Sequence, residues 1–366
     1  MIFTIKQSDI VYALQHIVGV IERKQTMAIL SNVLVNVKID FIEITGTDLE
    51  IQLIAISKSN VEQEGQVTVP ARKLLDICKL LPETASIRVQ LTRDKLNLSS
   101  GRSRFKLSTI NAKEYPDFST GDYLYELSFN SKKFRTLLKK TSYCMANQDV
   151  RYFLNGLLLQ VSGSNITGVA SDGHRLALYR EILESPISED IQIILPRKGV
   201  LELARILEIL DENINLRISS NTVEVLCGNI LFSSKLIDGK FPDFKNVFDQ
   251  NISRSFLFST KEIKATLARI SVLSNEILRS ITLNFSNNIL KISSNNTEHE
   301  EGYEEIDIDY EGDNFEVAFN SGYLLDAINN VDSDNVSLMF TEKTNICLIE
   351  DQVDKNLTFV VMPMRL

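Results

Sequence analysis

The sequence has few of the features that mark secreted, membrane or metal-binding proteins. Its four cysteines, Cys78, Cys144, Cys227 and Cys347, stand alone without any CxxC pair. This argues for reduced thiols in a cytoplasmic protein and against a thiolate metal site. No uncharged apolar run approaches the roughly 18 residues of a membrane span. The first twenty residues contain two charges and no small-residue cleavage site, so we expect no signal peptide.

Catalytic motifs are also missing. Gly163 and Gly168 have the spacing of a phosphate loop, but the Gly-Lys that should follow is absent. There is no GxGxxG, GxSxG or HExxH. Ser171, Asp172 and His174 are near neighbours, whereas a nucleophilic triad needs groups that converge from separate elements. A hydrolase or nuclease that uses Asp172 and His174 is kept only as an alternative hypothesis.

The composition is that of an ordinary globular protein. Of 366 residues, 44% are hydrophobic and 24% are charged, which excludes disordered, collagenous and disulfide-scaffold classes. The length predicts two or three domains. The net charge of -9 would, taken alone, argue against a partner made of phosphates.

Three copies of one unit account for the chain length. A strand-then-helix opening recurs with Ile5, Phe129 and Phe258 in register, at spacings of 124 and 129 residues. Two further markers recur at similar intervals. The first is a turn after a strand, at Asp48, Asp172 and Asn296, and the second is another strand-then-helix segment, at Pro70, Pro196 and Asn320. Such a period indicates repeated structural units.

Each repeat is predicted to be α+β, with antiparallel sheet and two helices. The helices follow from apolar spacing such as Ile10, Leu14 and Ile17, and the strands from alternation in segments such as SIRVQL and TVEVLC. Polar stretches near 119–126 and 249–255 are typical of linkers. We therefore expect three domains, at residues 1–124, 125–252 and 253–366.

Positive charge is concentrated in the predicted helices. Five of the six helical segments carry a net positive charge and together the six carry +10, so the remainder carries -19. Solvated helix faces are the ordinary explanation for cationic helices. A basic surface on an acidic body would instead bind a polyanion locally. The residues that favour this second interpretation are Lys73, Lys132, Lys133, Arg135, Lys139, Lys140, Arg197 and Lys198.

Several long motifs then identify a family. GRSRFKLST, QDVRYFLNG, DGHRLAL, PRKGVLEL, DGKFPDF, LSNE and VMPMRL occur in order along the whole chain. In these motifs the sequence resembles the bacterial DNA polymerase III beta subunit, the replicative sliding clamp. The resemblance implies a DNA clamp fold with three repeated domains per chain, closed as a head-to-tail homodimer into a six-domain ring around duplex DNA.

The resemblance also implies a role and a set of partners. The family is not enzymatic: it is a processivity factor that slides without sequence specificity, needs no cofactor or metal, and works in the cytoplasm without a membrane partner. Implied partners are double-stranded DNA, a second copy of the chain, the DNA polymerase III alpha subunit, the clamp-loader delta subunit and other proteins with short clamp-binding peptides. A monomeric three-repeat scaffold that binds peptides only is the alternative.

Simple geometry agrees with two chains in a ring. Helices packed roughly 10 Å apart, with side chains reaching about 5 Å inward, give six helices a hole of only about 10 Å. Twelve helices give a hole of roughly 28 Å. A duplex roughly 20 Å across passes only the larger ring, which fits a dimer.

Three groups of site residues follow. By resemblance, DNA contacts come from Lys24, Arg72, Gln148, Tyr152 and Phe153, although the family often has Arg and Tyr at the first and last of these positions. By resemblance, a partner-peptide groove is formed by Leu154, Ser171, Gly173, His174, Arg175, Leu176, Pro242, Val247, Val360, Val361, Met362, Pro363, Met364, Arg365 and Leu366. Methionines suit an adaptable binding surface, but the apolar tail is equally explained as a final strand. Asn246 replaces a frequent arginine at the groove rim.

A dimer interface is predicted from opposite charges in the first and third repeats. Arg102 and Arg104 flank Phe105 and Leu107 in the first repeat, while an acidic run occupies the third repeat. These edges suit a head-to-tail contact. The acidic residues are Glu298, Glu300, Glu301, Glu304 and Glu305, and the resemblance adds Lys73, Ile77 and Leu81 opposite Val272 and Leu273.

Overall fold

A computed structural model describes residues 1–22, 27–183, 185–209 and 212–365. The chain forms two compact units. The first combines Met1–Arg135 with Lys198–Ile237, and the second combines Thr136–Arg197 with Asp238–Leu366. The middle repeat is therefore divided between the two units.

The elements recur in the same order three times. The first repeat contains β1 (Ile2–Lys6), α1 (Gln7–Ile17), β2 (Asn32–Val37), β3 (Phe41–Thr47), β4 (Ile51–Lys58), β5 (Asn60–Gln63), β6 (Gly65–Pro70), α2 (Ala71–Lys79), β7 (Ser86–Thr92), β8 (Lys95–Ser100) and β9 (Ser103–Ser108). The second contains β10 (Tyr123–Asn130), α3 (Ser131–Ser142), β11 (Gly156–Ser162), β12 (Asn165–Ser171), β13 (Arg175–Ile182), β14 (Ile191–Pro196), α4 (Arg197–Ile206), β15 (Asn213–Ser219), β16 (Thr222–Cys227) and β17 (Ile230–Lys235).

The third repeat follows a short helix. It contains α5 (Lys245–Phe248), β18 (Ile252–Ser259), α6 (Thr260–Ser271), β19 (Ser280–Ser286), β20 (Ile289–Asn295), β21 (Glu301–Asp307), β22 (Phe315–Asn320), α7 (Ser321–Asn329), β23 (Asn335–Thr341), β24 (Cys347–Asp351) and β25 (Leu357–Val361). The predicted α+β fold with three repeats is confirmed. The linker prediction is partly wrong, because β10 and β18 begin inside the polar stretches and pair with β15 and β23.

Each repeat contributes two four-stranded halves with a fixed strand order. One half has the order β1-β7-β8-β9, repeated as β10-β15-β16-β17 and β18-β23-β24-β25. The other has the order β6-β2-β3-β4, repeated as β14-β11-β12-β13 and β22-β19-β20-β21. All of these neighbouring strands pair antiparallel, and β5 is an extra strand beside β1.

Neighbouring repeats share their sheets. In the first unit, β17 pairs with β4 to make an eight-stranded sheet, and in the second unit β25 pairs with β13 in the same way. Phe232 lies opposite Leu53 in the first junction and Phe359 lies opposite Ala177 in the second. Both phenylalanines are fully buried, so each junction is part of a hydrophobic core.

The helices cover the sheets through apolar stripes. Ile10, Leu14 and Ile17 of α1 are buried, as the spacing predicts. The Ser259 side chain accepts a hydrogen bond from Glu262 N at the start of α6, which satisfies an otherwise unpaired helix donor. All four cysteines are buried and free, and burial raises the pKa of the Cys78 and Cys227 thiols to about 12. This agrees with reduced, unreactive thiols.

We predict that Gly46→Ala destabilises the first unit, because α1 lies close against β3 at this residue. A Cβ atom on Gly46 would lie 2.3 Å from Ile17 Cγ2, which is buried. Overpacking of this kind costs about 1–3 kcal/mol. Urea unfolding measures the loss, and Gly121→Ala is the control, since its new Cβ would meet nothing closer than 3.8 Å. Equal stability of the two variants would contradict the prediction.

Candidate functional site

The loop that carries the predicted DNA residues Gln148, Tyr152 and Phe153 is held rigidly by its own polar groups. Asp149 N donates to Asn155 Oδ1 at 2.9 Å, and Asn155 Nδ2 donates back to Asp149 O at 2.8 Å. Gln148 adopts a left-handed φ of 58°, and 152–154 form one turn of 3₁₀ helix. Tyr152 is consequently 55% exposed.

Arg151 connects this loop to a neighbouring turn. Its guanidinium donates to both carboxylate oxygens of Asp149 and, at 3.0 Å, to Asp172 O. These bonds from the Arg151 side chain lower the pKa of Asp149 to about 2. Tyr152 and Phe153 lie against Gly239 of the chain segment that leads to Pro242. The loop therefore joins the candidate DNA residues to the turn that carries the candidate groove residues.

The cationic residues do not all have the free side chains that charge counting suggests. Lys198 Nζ donates to Asp48 and to Glu22, and Lys140 Nζ donates to Asn330 O and to Asp332. The expectation that these two lysines contact phosphate is therefore weakened, because both charges already have partners.

Other predicted contacts vary in exposure. Arg72 is exposed but donates to Ile21 O at 2.7 Å, and Arg197 is half-buried and donates to Met145 O at 2.8 Å. Lys73, Lys132, Lys133 and Lys139 are exposed, whereas Arg135 is half-buried. Lys24 lies outside the described residues.

The centre of the candidate groove is the turn between β12 and β13. Ser171 Oγ donates to Arg175 O and accepts from Gly173 N, while Asp172 Oδ1 accepts from His174 N and Arg175 N. Gly173 has a φ of 90°, which favours glycine. The turn thus fixes the backbone that projects the His174 side chain.

Arg175 connects the turn to α7. It donates to Asp172 Oδ2 at 3.0 Å, to Tyr143 O at 2.9 Å and to the Asp326 carboxylate. Its guanidinium also lies 4.6 Å from the centre of the Tyr323 ring, in cation–π contact. Because the planar fork serves several partners at once, Arg175 is a structural residue beneath the turn.

The apolar tail is partly a strand and partly exposed. Val360 and Val361 are buried in β25, so for them the strand interpretation is correct. Beyond the strand, Met362 N donates to His174 O at 2.9 Å and Met364 N donates to Ala318 O at 2.7 Å. Met362 to Met364 are half-buried and Arg365 is exposed. These bonds place the tail beside the turn of His174, while Leu366 lies outside the described residues.

The remaining groove residues differ in accessibility. Leu154 and Leu176 are buried, Val247 is half-buried and Pro242 is exposed. Asn246 Nδ2 donates to Asp243 Oδ2 at 3.2 Å, a local contact.

The catalytic alternative finds no support in this geometry. The Asp172 carboxylate is occupied by Arg175 and by backbone N–H groups. The Ser171 hydroxyl donates to a carbonyl, and the His174 ring stacks 6.4 Å from the Tyr323 ring. These side chains therefore lack the relay of hydrogen bonds that activates a nucleophile. Across the described residues no group of three or more His, Cys, Asp and Glu is placed to hold a metal ion.

The residues predicted for self-association lie on two sheet edges. β9 ends the sheet of the first repeat and β21 ends that of the third. In β9, Arg102 just before the strand and Arg104 within it are exposed, Phe105 is half-buried and Leu107 is buried. Near β21, Glu298, Glu300 and Glu301 are exposed, and Glu304 is half-buried and paired with Arg269.

Large apolar side chains are also exposed at the ends of α2 and α6. At the end of α2, Ile77 and Leu81 are half-buried and Leu80 is 88% exposed. After α6, Val272 is 78% and Ile277 88% exposed, and Leu273 is half-buried. Large apolar side chains exposed at this level are typical of an interface. The sequence did not predict the exposure of Leu80 and Ile277. Both residues follow the end of a helix, where the apolar spacing of that helix no longer indicates which side chains are buried.

Comparison with known proteins identifies the family. Three family models match in succession: the DNA polymerase III beta subunit N-terminal domain over residues 1–119, its central domain over 128–243 and its C-terminal domain over 245–365. The chain belongs to the DNA polymerase III beta subunit family.

Several relatives match the chain over its whole length and theirs. The beta sliding clamps of Pseudomonas aeruginosa and Escherichia coli are 40% and 39% identical to the chain, with all of each chain covered. A crystal structure of the Pseudomonas aeruginosa clamp superimposes with a TM-score of 0.97, and the Caulobacter crescentus beta subunit, 30% identical, with a TM-score of 0.95, both over all of each chain. Another Pseudomonas aeruginosa clamp structure is bound to griselimycin. Among the described helices, none has the length and apolar character needed to cross a bilayer.

We predict that Arg175→Lys disrupts the turn between β12 and β13. Lysine has a single ammonium group and cannot serve two carboxylates and a carbonyl together, so at least one partly exposed carboxylate, Asp172 or Asp326, loses its partner. The free energy of unfolding should fall by about 1.5–3 kcal/mol, the contribution of a hydrogen bond to a charged group, as measured by urea unfolding. Arg180→Lys on the same strand is the control, because that side chain is exposed. A loss no larger than that of the control would refute the role assigned to Arg175.

Proposed function

We propose that the protein is a non-catalytic DNA polymerase processivity factor. Two copies close into a ring around duplex DNA, slide along it without reading sequence, and hold polymerase through the groove beside His174. The partners are those of the family: the polymerase alpha subunit, the clamp-loader delta subunit and other proteins with short clamp-binding peptides. The protein works in the cytoplasm, with domains at 1–124, 125–252 and 253–366.

The observation that carries this proposal is that two edge strands, β9 and β21, lack the partner that the corresponding strands have within the chain. Two junctions within the chain join the last strand of one half-sheet to the last strand of another, as β17 with β4 and β25 with β13. The same rule leaves β9 and β21 with one open edge each. Open edges of this kind invite pairing with another chain. A second copy supplies both missing strands, and its two-fold symmetry closes the ring.

The strand pairing across this junction follows from the two complete ones. Ser171 pairs with Leu176 across the turn of the second repeat and Asn295 pairs with Glu301 in the third, so Glu301 corresponds to Leu176. Phe105 corresponds to Phe359, which lies opposite Ala177. Gly302 of one copy should therefore lie opposite Phe105 of the other. The glycine leaves space for the phenyl side chain of Phe105, as Ala177 does for Phe359 in the complete junction of the second unit.

The pleat and the charges support the same register. In β9 the exposed side chains are Arg104 and Lys106, and in β21 they include Glu301 and Tyr303. The register above places Lys106 opposite Glu301 and Arg104 opposite Tyr303, outward face to outward face. A slip by one residue would put exposed charges against the half-buried Phe105. Cross-strand pairs of opposite charge contribute stability and orientation.

DNA contact in the ring would be loose and electrostatic. Exposed lysines on α2 and α3, with Gln148 and Tyr152, suit contacts to phosphate and sugar, which carry no sequence information. Such contacts are weakened by salt, while the closed ring prevents escape. The acidic remainder of the chain discourages binding elsewhere.

The groove suits short peptides from many partners. Met362 is half-buried beside the turn of His174 and Met364 is half-buried beside Ala318, and methionine side chains adapt their shape readily. A polar rim of backbone groups and an apolar floor are typical of peptide-binding clefts.

We predict that encirclement, not affinity, retains the protein on DNA. The protein is loaded by a clamp loader onto nicked circular DNA and washed in high salt, which removes contacts that depend on phosphate. The protein should remain on the circle and leave once the DNA is linearised, as followed by gel filtration of the complexes. Equal retention on circular and linear DNA would contradict the ring.

A second prediction tests the open edge. Phe105→Ala should leave the chain folded but shift it to monomers, because Phe105 is half-exposed in the single chain and gains its cover only from a second copy. Phe232→Ala is the matched control: it removes the corresponding buried ring from an internal junction, so it should cost about 3–5 kcal/mol of folding stability and leave association unchanged. Sedimentation velocity and urea unfolding measure the two effects. A dimeric Phe105→Ala protein would refute the edge pairing.

A further inference from the structure

One ion pair lies where the third junction should form. Arg269 on α6 donates through Nε and Nη2 to the two Glu304 carboxylate oxygens of β21, at 2.6 and 2.7 Å. The pair is on the surface, with the arginine side chain 59% and the glutamate 32% exposed. Hydrogen bonding from Arg269 lowers the pKa of Glu304. Exposed pairs contribute little to stability, so this one is easily exchanged for other partners.

The corresponding cation in the complete junction of the second unit has a different partner. Lys140 is the tenth residue of α3, as Arg269 is the tenth of α6. Lys140 Nζ donates to the carbonyl of Asn330, the residue that ends α7, and also to Asp332. A cation at a helix C-terminus satisfies a free carbonyl and opposes the negative end of the helix dipole.

The complete junction of the first unit also has a contact from a cation to a carbonyl near a helix end, but in the opposite direction, because here the cation is on the second helix of its repeat. Arg205 of α4 donates at 2.7 Å to the carbonyl of His16, next to the last residue of α1. Each complete junction thus joins a cation on one helix to a carbonyl near the C-terminal end of a helix in the neighbouring repeat, and the contact of Lys140 is the one that corresponds in position to Arg269. In the first repeat the residue that corresponds to Asn330 is Leu80, which ends α2 and is 88% exposed.

We propose that Arg269 exchanges partners when the ring closes: its guanidinium leaves Glu304 of its own chain and donates to the Leu80 carbonyl at the end of α2 in a second copy. The exchange rests on the proposed function, because it requires the dimer. In the single chain, the pair of Arg269 with Glu304 remains in contact with solvent, so neither charge is buried. In the ring, the released glutamate lies on the acidic edge that faces the arginines of β9.

The dimer dissociation constant tests the exchange. Arg269→Ala should raise it, since a hydrogen bond to a charged group contributes about 1.5 kcal/mol, or roughly tenfold. A symmetric ring contains the contact twice, so the combined effect is about a hundredfold. Sedimentation equilibrium or mass photometry over a dilution series measures it.

Arg269→Lys separates the two possible roles. Lysine reaches a helix-end carbonyl, as Lys140 does, but it cannot reproduce the two-bonded pair with Glu304. We expect Arg269→Lys to keep a dimer dissociation constant within threefold of that of the original protein. Arg269→Ala should show the large loss of affinity. If both variants weaken the dimer equally, or neither does, the exchange is wrong.

Lys140→Ala is the matched control within the same chain. It removes the corresponding contact from an internal junction, so it should lower the melting temperature and leave the dissociation constant unchanged. If the unaltered protein stays monomeric at every concentration, the proposed ring itself fails. If that protein dimerises and Arg269→Ala dimerises as tightly, only the exchange of Arg269 fails.

Discussion

Backbone pairing between the last strands of neighbouring half-sheets is the interaction on which the molecule depends. It joins β17 to β4 in one unit and β25 to β13 in the other. Each pairing also buries a phenylalanine from the joining strand, Phe232 or Phe359. Because the same pairing occurs at both junctions, it identifies β9 and β21 as the strands that lack such a partner within the chain. Fold and assembly therefore rest on one kind of contact, made twice within the chain and, in the proposed ring, twice between chains.

Charge has two separate roles around these junctions. Lys198, with Asp48 and Glu22, and Lys140, with Asp332, are ion pairs inside single units, and their partners make them structural. The lysines that stay exposed on α2 and α3 are the ones suited to a polyanion. The net charge of -9 is compatible with DNA binding because local surface charge, and not the total, faces the ligand.

The sequence predicted the repeat, the six long helices and several strands, because apolar periodicity depends on local geometry. It did not predict that repeats share sheets, since pairing between strand edges is decided by tertiary packing. The count of lysines did not show that Lys140 and Lys198 have acidic partners, because a sequence does not show which acid lies beside a base. Arg151 was missed for a related reason. Its importance comes from a carbonyl, Asp172 O, that belongs to another element.

The resemblance supplied the groove residues, and the structure supplied the reason for their arrangement. Met362 lies beside His174 because its backbone N–H continues the pairing of β25 with β13, whereas Met364 N donates to Ala318 O of β22. The first residue of the tail is therefore an extension of the sheet that contains the buried Val360 and Val361.

The two kinds of junction respond differently to protein concentration. At the internal junctions the polypeptide itself tethers the partners, so their effective concentration is high and dilution does not separate them. The edges at β9 and β21 have no such tether, and mass action governs their pairing. A ring built this way would part at its intermolecular seams before its internal ones, so DNA could enter without any domain having to unfold.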